Sequence, residues 1–162
     1  MALVSVPLSH SFARLTGGLF GLWPLSLTML ALRLALALPF WKSGLTKWDG
    51  WFNLSFGATA LFTDEYKLHW LGAEYSFPYP VWMAWASAFS EIVLPLLLAV
   101  GLLTRYAAAG VVVMTAVIQL TYPEGWQNFH LPWAAMGLAI LTFGGGRIAL
   151  DFVLGLDREP KR

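Results

Sequence analysis

Two charged residues lie deep in apolar sequence and are the first candidates for chemistry. Arg33 interrupts the apolar run 25–41, and Glu91 interrupts the run 81–103. An Arg or Asp at the centre of a membrane helix costs about 2.5–3.5 kcal/mol even on the lenient insertion scale. Each therefore needs a partner. Counted inward from the run ends, their depths differ by about 5 Å, which a long arginine covers. Ala84, Ser87 and Ala88 share the helical face of Glu91 and are small enough to let a neighbouring helix approach. The expectation is an intramembrane Arg33–Glu91 pair. Two meanings stay open for it: an ion pair that fixes packing, or a polar centre that serves a proton or a ligand headgroup.

A second set combines aromatic rings with polar groups: Lys47, Trp48, Trp51, Trp126, His130 and Trp133. Ligand pockets are mostly apolar and aromatic with a few placed polar groups, so these six form a candidate pocket for a planar or amphipathic ligand. Their rival meaning is a belt of interfacial anchors, because Trp and Tyr prefer the headgroup level and lysines snorkel there. His69 and His130 have no ligand-like partner at helical spacing, so no metal site is expected. The reading assigns no catalytic residue.

Absent residues exclude several chemistries. With no cysteine, the chain itself performs no thiol–disulfide exchange. No histidine lies inside an apolar run, which argues against haem held between helices. The GGGR stretch at 144–147 is too short and wrongly placed for a nucleotide fingerprint. A formal net charge of +1 gives no footprint for nucleic acid.

The elements that must position these residues follow from composition. The 162 residues are 58% hydrophobic and only 12% charged, with a mean hydropathy of +0.64. A soluble domain carries about 25% charged residues, and five of those present here fall in the last six positions, Asp157 to Arg162. A chain so poor in charge cannot clothe a globule in polar side chains, so much of its surface faces lipid. The runs 25–41, 81–103, 106–120 and 131–146 read as four membrane spans, the shorter ones completed by tilt or flanking aromatics. Pro80 and Pro132 stand at helix starts. The short loops place Arg14, Arg105, Arg147, Arg158, Lys161 and Arg162 on one side, against Lys42, Lys47 and Lys67 on the other. Both termini are thus expected in the cytoplasm. Residues 42–79 are too long and too aromatic for a simple connection, and the apolar stretch 54–63 is too short to span. The expectation is an all-α integral membrane protein: a four-transmembrane-helix bundle with an aromatic-rich interfacial or re-entrant segment between helices one and two. Its parts would be an interfacial lead-in (1–24), the four-helix membrane domain (25–152) and a polar cytoplasmic tail (153–162).

With those parts in order, the chain resembles the DoxX family of small four-span bacterial membrane proteins. The first run ends ALRLALALPFWKSGLTKW, with a Gly-x-x-Lys turn at Gly44 and Lys47. The second reads SEIVLPLLLAVGLLTR, closing on Gly101, Leu102, Thr104 and Arg105. A small-residue helix, AAAGVVVM, follows. The last run ends GGGRIALD, with Gly144, Gly146, Leu150 and Asp151. The resemblance implies an inner-membrane location and a non-catalytic subunit or accessory factor in a redox-linked membrane complex, with a membrane or soluble redox protein as partner. Quinone is the cofactor it would suggest. Two other readings stay open: a quinone-interacting oxidoreductase subunit, and a small transporter or export or assembly factor. The bilayer is a partner in every reading, and a homo-oligomer is compatible with all of them.

Overall fold

The computed structural model describes residues 25–157; the lead-in at 1–24 and residues 158–162 lie outside them. Helix α1 (Leu25–Leu45) opens the described chain. A two-stranded hairpin follows, β1 (Trp48–Gly50) with β2 (Asn53–Leu54). Ser55 caps α2 (Phe56–Ala60) by accepting from the Ala58 N–H at 3.1 Å, and α2 runs on as a π-helical turn, Leu61–Glu65. A second antiparallel hairpin pairs β3 (Lys67–Trp70) with β4 (Ala73–Ser76). Then come the long helices α3 (Pro80–Val100) and α4 (Thr104–Thr121). A π-helical turn, Trp126–His130, leads into α5 (Leu131–Phe143), and the short α6 (Leu150–Val153) follows.

Among the described residues α1, α3 and α4 are long and apolar enough to cross a membrane. The fourth run folds as α5, 13 residues long. Helices α1, α3, α4 and α5 enclose one core of Leu36, Ala37, Phe40, Leu98, Ala107, Ala108, Val111 and Ile140. Small residues set the helix spacing. A Cβ on Gly137 of α5 would meet Val112 of α4 at 2.5 Å, so only glycine allows this approach.

The expectation of an all-helical chain is corrected between α1 and α3, where four short strands form two hairpins. The reason is local. Leu71 and Gly72, at φ 51° and 81°, form a two-residue turn in the left-handed region, the geometry that suits a tight hairpin. It fixes a register running from Lys67 opposite Ser76 to Trp70 opposite Ala73.

This insertion is packed, not trailing. Phe62 and Phe77 join Ala84 of α3 in a second core, with Leu54, Tyr66, Leu68 and Met83 against it. The helices are also staggered. Gly44, near the end of α1, lies against the Glu91 main chain, so α1 stops about halfway along α3. Residues 80–90 of α3 continue for about 16 Å beyond it, and the insertion packs along that stretch.

Candidate functional site

Glu91 is 5% exposed and Lys47 8%, and they meet. Lys47 Nζ lies 2.6 Å from Glu91 Oε2. Lys47 Nζ also donates to Ser43 Oγ at 2.9 Å, and Ser87 Oγ donates to Glu91 Oε1 at 2.9 Å. Each serine stands four residues before the charge it serves, one helical turn away. The turn that brings Lys47 inward is closed by its own N–H donating to the Gly44 carbonyl at 3.1 Å. Charges buried this far need both pairing and hydrogen bonds, and the cluster supplies both.

The pair forms part of the wall of a cavity of about 360 Å³. Ser43 and Lys47 line it from the α1 side, Ser87, Ser90 and Glu91 from α3, and Met114, Ile118 and Thr121 from α4. Phe62, Tyr66 and Phe77 close it from the insertion and Trp133 from α5. The aromatic cover is continuous: Phe62 lies 5.1 Å from Tyr66 and 5.3 Å from Phe77, and Tyr66 lies 5.4 Å from Tyr122. Burial first, and then the neighbouring Tyr122, pushes the Tyr66 phenol above its usual range, so it keeps its proton. Ala86 on α3 and Val113 and Val117 on α4 line the same cavity and are exposed. They mark a mouth on the apolar flank between these two helices.

The expected Arg33–Glu91 pair does not form. Arg33 is 1% exposed and spends its guanidinium on main-chain carbonyls. Nε donates to Leu98 O at 2.9 Å and Nη2 to Ala99 O at 3.0 Å. Nη1 donates to Gly145 O at 2.8 Å and to Ile148 O at 2.9 Å. Its partners are thus the carbonyls left open at the C-terminal end of α3, where a cation also suits the helix dipole, and the segment after α5. The depth count failed because it took the helix ends as level. With Gly44 against Glu91, Arg33 sits eleven residues further down α1, about 16 Å away along the axis.

The same end of the bundle is fastened by two aspartates. Asp151 accepts from the Leu103 and Thr104 N–H groups, both at 2.7 Å, and so caps α4. Asp157 accepts from Arg105 Nε at 3.1 Å and from the Gly145 N–H at 3.2 Å. Arg105 also donates to the Leu141 and Thr142 carbonyls.

The six residues of the candidate pocket separate. Lys47 and Trp133 line the cavity beside Glu91. Trp48 and Trp51 line a different, shallower depression with Phe89, Ile92 and Val93, and Trp51 is 94% exposed. Trp48 packs edge-on to Trp85 at 5.2 Å, and its buried indole N–H has no partner among the described residues. His130 is buried, its ring 5.6 Å from Trp133 and its Nδ1 2.6 Å from Gln119 Oε1. It supports Trp133 from behind and does not line the cavity. Trp126 is exposed. Of the six, Lys47 and Trp133 share this cavity, while Trp48, Trp51, Trp126 and His130 lie elsewhere.

Lys47 as the partner of Glu91, and the hydroxyls of Ser43 and Ser87, were not anticipated from the sequence. The i, i+4 spacings Ser43–Lys47 and Ser87–Glu91 carried that signal.

The DoxX family profile matches residues 28–123, a stretch that includes all but the first three residues of α1, the insertion, α3, α4 and every residue of the Lys47–Glu91 cluster. The chain belongs to the DoxX family. A Haemophilus influenzae protein described as "Uncharacterized protein" is 29% identical over 141 residues, covering 78% of this chain and 83% of its own. No solved structure matches. As a DoxX membrane protein the chain gives its motif residues physical roles. Gly44 admits α1 to the Glu91 backbone, and Lys47 supplies the counter-charge. Gly101, at φ 76°, leaves room where a Cβ would meet Ala149 and Arg33 Nη1, both within 2.8 Å. Asp151, beyond the matched stretch, caps the helix that Thr104 begins.

Proposed function

We propose that this DoxX protein is a four-span inner-membrane protein with both termini in the cytoplasm. In this reading residues 46–79 form an interfacial or re-entrant element, and α5 with its preceding turn serves as the fourth span. Its role is that of an accessory subunit in a redox-linked membrane complex, holding a quinone-like amphipathic ligand in the cavity beside Glu91. One observation carries the ligand reading: a buried Lys47–Glu91 pair on the wall of an aromatic-covered cavity whose mouth is apolar. A ligand dissolved in the bilayer would enter through that mouth, and its polar head would meet the pair. A volume of about 360 Å³ falls within the usual range of small-molecule pockets, about 300–1,000 Å³.

The test is retention. Protein purified from its native membranes in mild detergent should carry quinone or its reduced hydroquinone in its organic extract, together with a redox enzyme as a stable partner. A Val113→Trp variant, which fills the mouth, should fold and keep the partner but lose the quinone. Wild-type protein that retains neither quinone nor hydroquinone, and takes neither up when both are supplied, would defeat the ligand reading. Isolation without any redox partner would defeat the accessory role.

A further inference from the structure

We infer that the cavity beside Glu91 selects an aromatic ring bearing a free hydroxyl, a phenol or hydroquinone, over the same ring with that oxygen as a carbonyl or an ether. This rests on the amphipathic-ligand reading above and deepens it.

The hydrogen-bonding capacity of the Lys47–Glu91 pair is only partly used. An ammonium has three N–H donors and no acceptor, and an ionised carboxylate only accepts, at about four lone-pair sites. Among the described residues Lys47 Nζ gives one N–H to Ser43 Oγ and one to Glu91 Oε2. Its third N–H has no acceptor among the described residues. Glu91 accepts once on each oxygen, from Lys47 and from Ser87, which leaves half of its capacity open. Both residues line the cavity. The wall therefore offers a spare donor and spare anionic acceptors side by side.

A hydroxyl matches that pair in both directions, accepting from Lys47 and donating to Glu91. A quinone carbonyl or an aryl ether can only accept. It would satisfy Lys47 but set its lone pairs against the Glu91 carboxylate with no proton between them. A site built to bond a hydroxyl rejects the analogue without one, because its buried groups are then left unpaired. The rest of the wall suits the ring. Phe62, Tyr66, Phe77 and Trp133 surround the space with faces and edges, and aromatic pairs gain from offset or edge-on contact. No proton need leave the ligand, since recognition asks only for a donated hydrogen bond.

The experiment compares para-hexylphenol with its methyl ether, para-hexylanisole, by isothermal titration calorimetry on detergent-solubilised full-length protein. The ring and chain are shared, and only the donor differs. The phenol should bind saturably and about tenfold or more tighter than the ether, the step expected from one hydrogen bond to a charged group. Val113→Trp should abolish binding of both. Glu91→Gln should narrow the ratio. If that variant fails to fold, the double Lys47→Met/Glu91→Met variant removes both charges while keeping volume, and it should bind phenol and ether alike. Equal affinity of the wild type for both probes would overturn the hydroxyl assignment and leave the amphipathic pocket standing. A phenol preference kept in full by the double variant would also overturn it. Failure of the wild type to bind either probe would bring down the pocket reading itself.

Discussion

Gly44 of α1 rests on the main chain of Glu91 in α3, and a Cβ placed on Gly44 would meet the Glu91 carbonyl oxygen at 2.8 Å. That contact sets the stagger of the two helices. The stagger in turn decides which charge meets which. Lys47, one turn past Gly44, comes level with the Glu91 carboxylate, while Arg33 is carried to the far end of α3.

Gly44→Ala should therefore disturb more than packing. The added methyl meets backbone, which cannot rotate away, and overpacking of a close contact typically costs about 1–3 kcal/mol. Thermal unfolding in detergent should show a clear drop for Gly44→Ala and almost none for Lys42→Ala, an exposed neighbour on the same helix. Equal midpoints for Gly44→Ala and wild type would mean that the helices do not cross at this point.

Breaking the Lys47–Glu91 pair from one side should be costly. Removing one partner leaves the other charge buried and uncompensated, at about 3–5 kcal/mol. Lys47→Met alone should lower stability strongly, and adding Glu91→Met should recover most of the loss. A double variant as unstable as the sum of the two single ones would contradict the pairing. Denaturation of all three variants under one set of conditions gives the comparison.

Arg33 should resist conservative replacement. Its planar fork reaches four carbonyls from two segments of chain, and a lysine, with one nitrogen, cannot. Arg33→Lys should lose much of the stability lost in Arg33→Leu. Because Arg33 and Glu91 do not meet, Arg33→Lys and Glu91→Gln should combine additively, within about 0.5 kcal/mol. A large coupling energy between them would restore the pairing suggested by depth alone.

Topology has its own test. A reporter fused after Arg162 should act as cytoplasmic, and one inserted near Asp64 as exoplasmic. Reporters that give the same side for both positions would refute the four-span arrangement, and exchanged sides would refute its orientation.

The sequence by itself determined the environment and the problem to be solved. A chain of 162 residues with 12% charge cannot cover itself in polar side chains, and its apolar runs set where α1, α3, α4 and α5 begin and end to within a few residues. It also required that Arg33 and Glu91 each find a partner, because a lone charge among apolar helices is too costly to keep. Lys47 and Trp133 stood out by their types, and both line the cavity beside Glu91. Only the tertiary structure decided who meets whom. The partner of Glu91 depends on the stagger of α1 against α3, and the side-chain pattern of either helix is the same at every stagger. It was fixed by a three-dimensional contact, Gly44 on Glu91, whose consequence is not periodic in sequence. The separation of Trp48, Trp51 and Trp126 from the cavity has the same origin. An indole suits a lipid interface and a ligand wall equally well, so its residue type cannot say which it faces. The packing of Trp48 on Trp85, and of Phe62 and Phe77 on Ala84, made that choice.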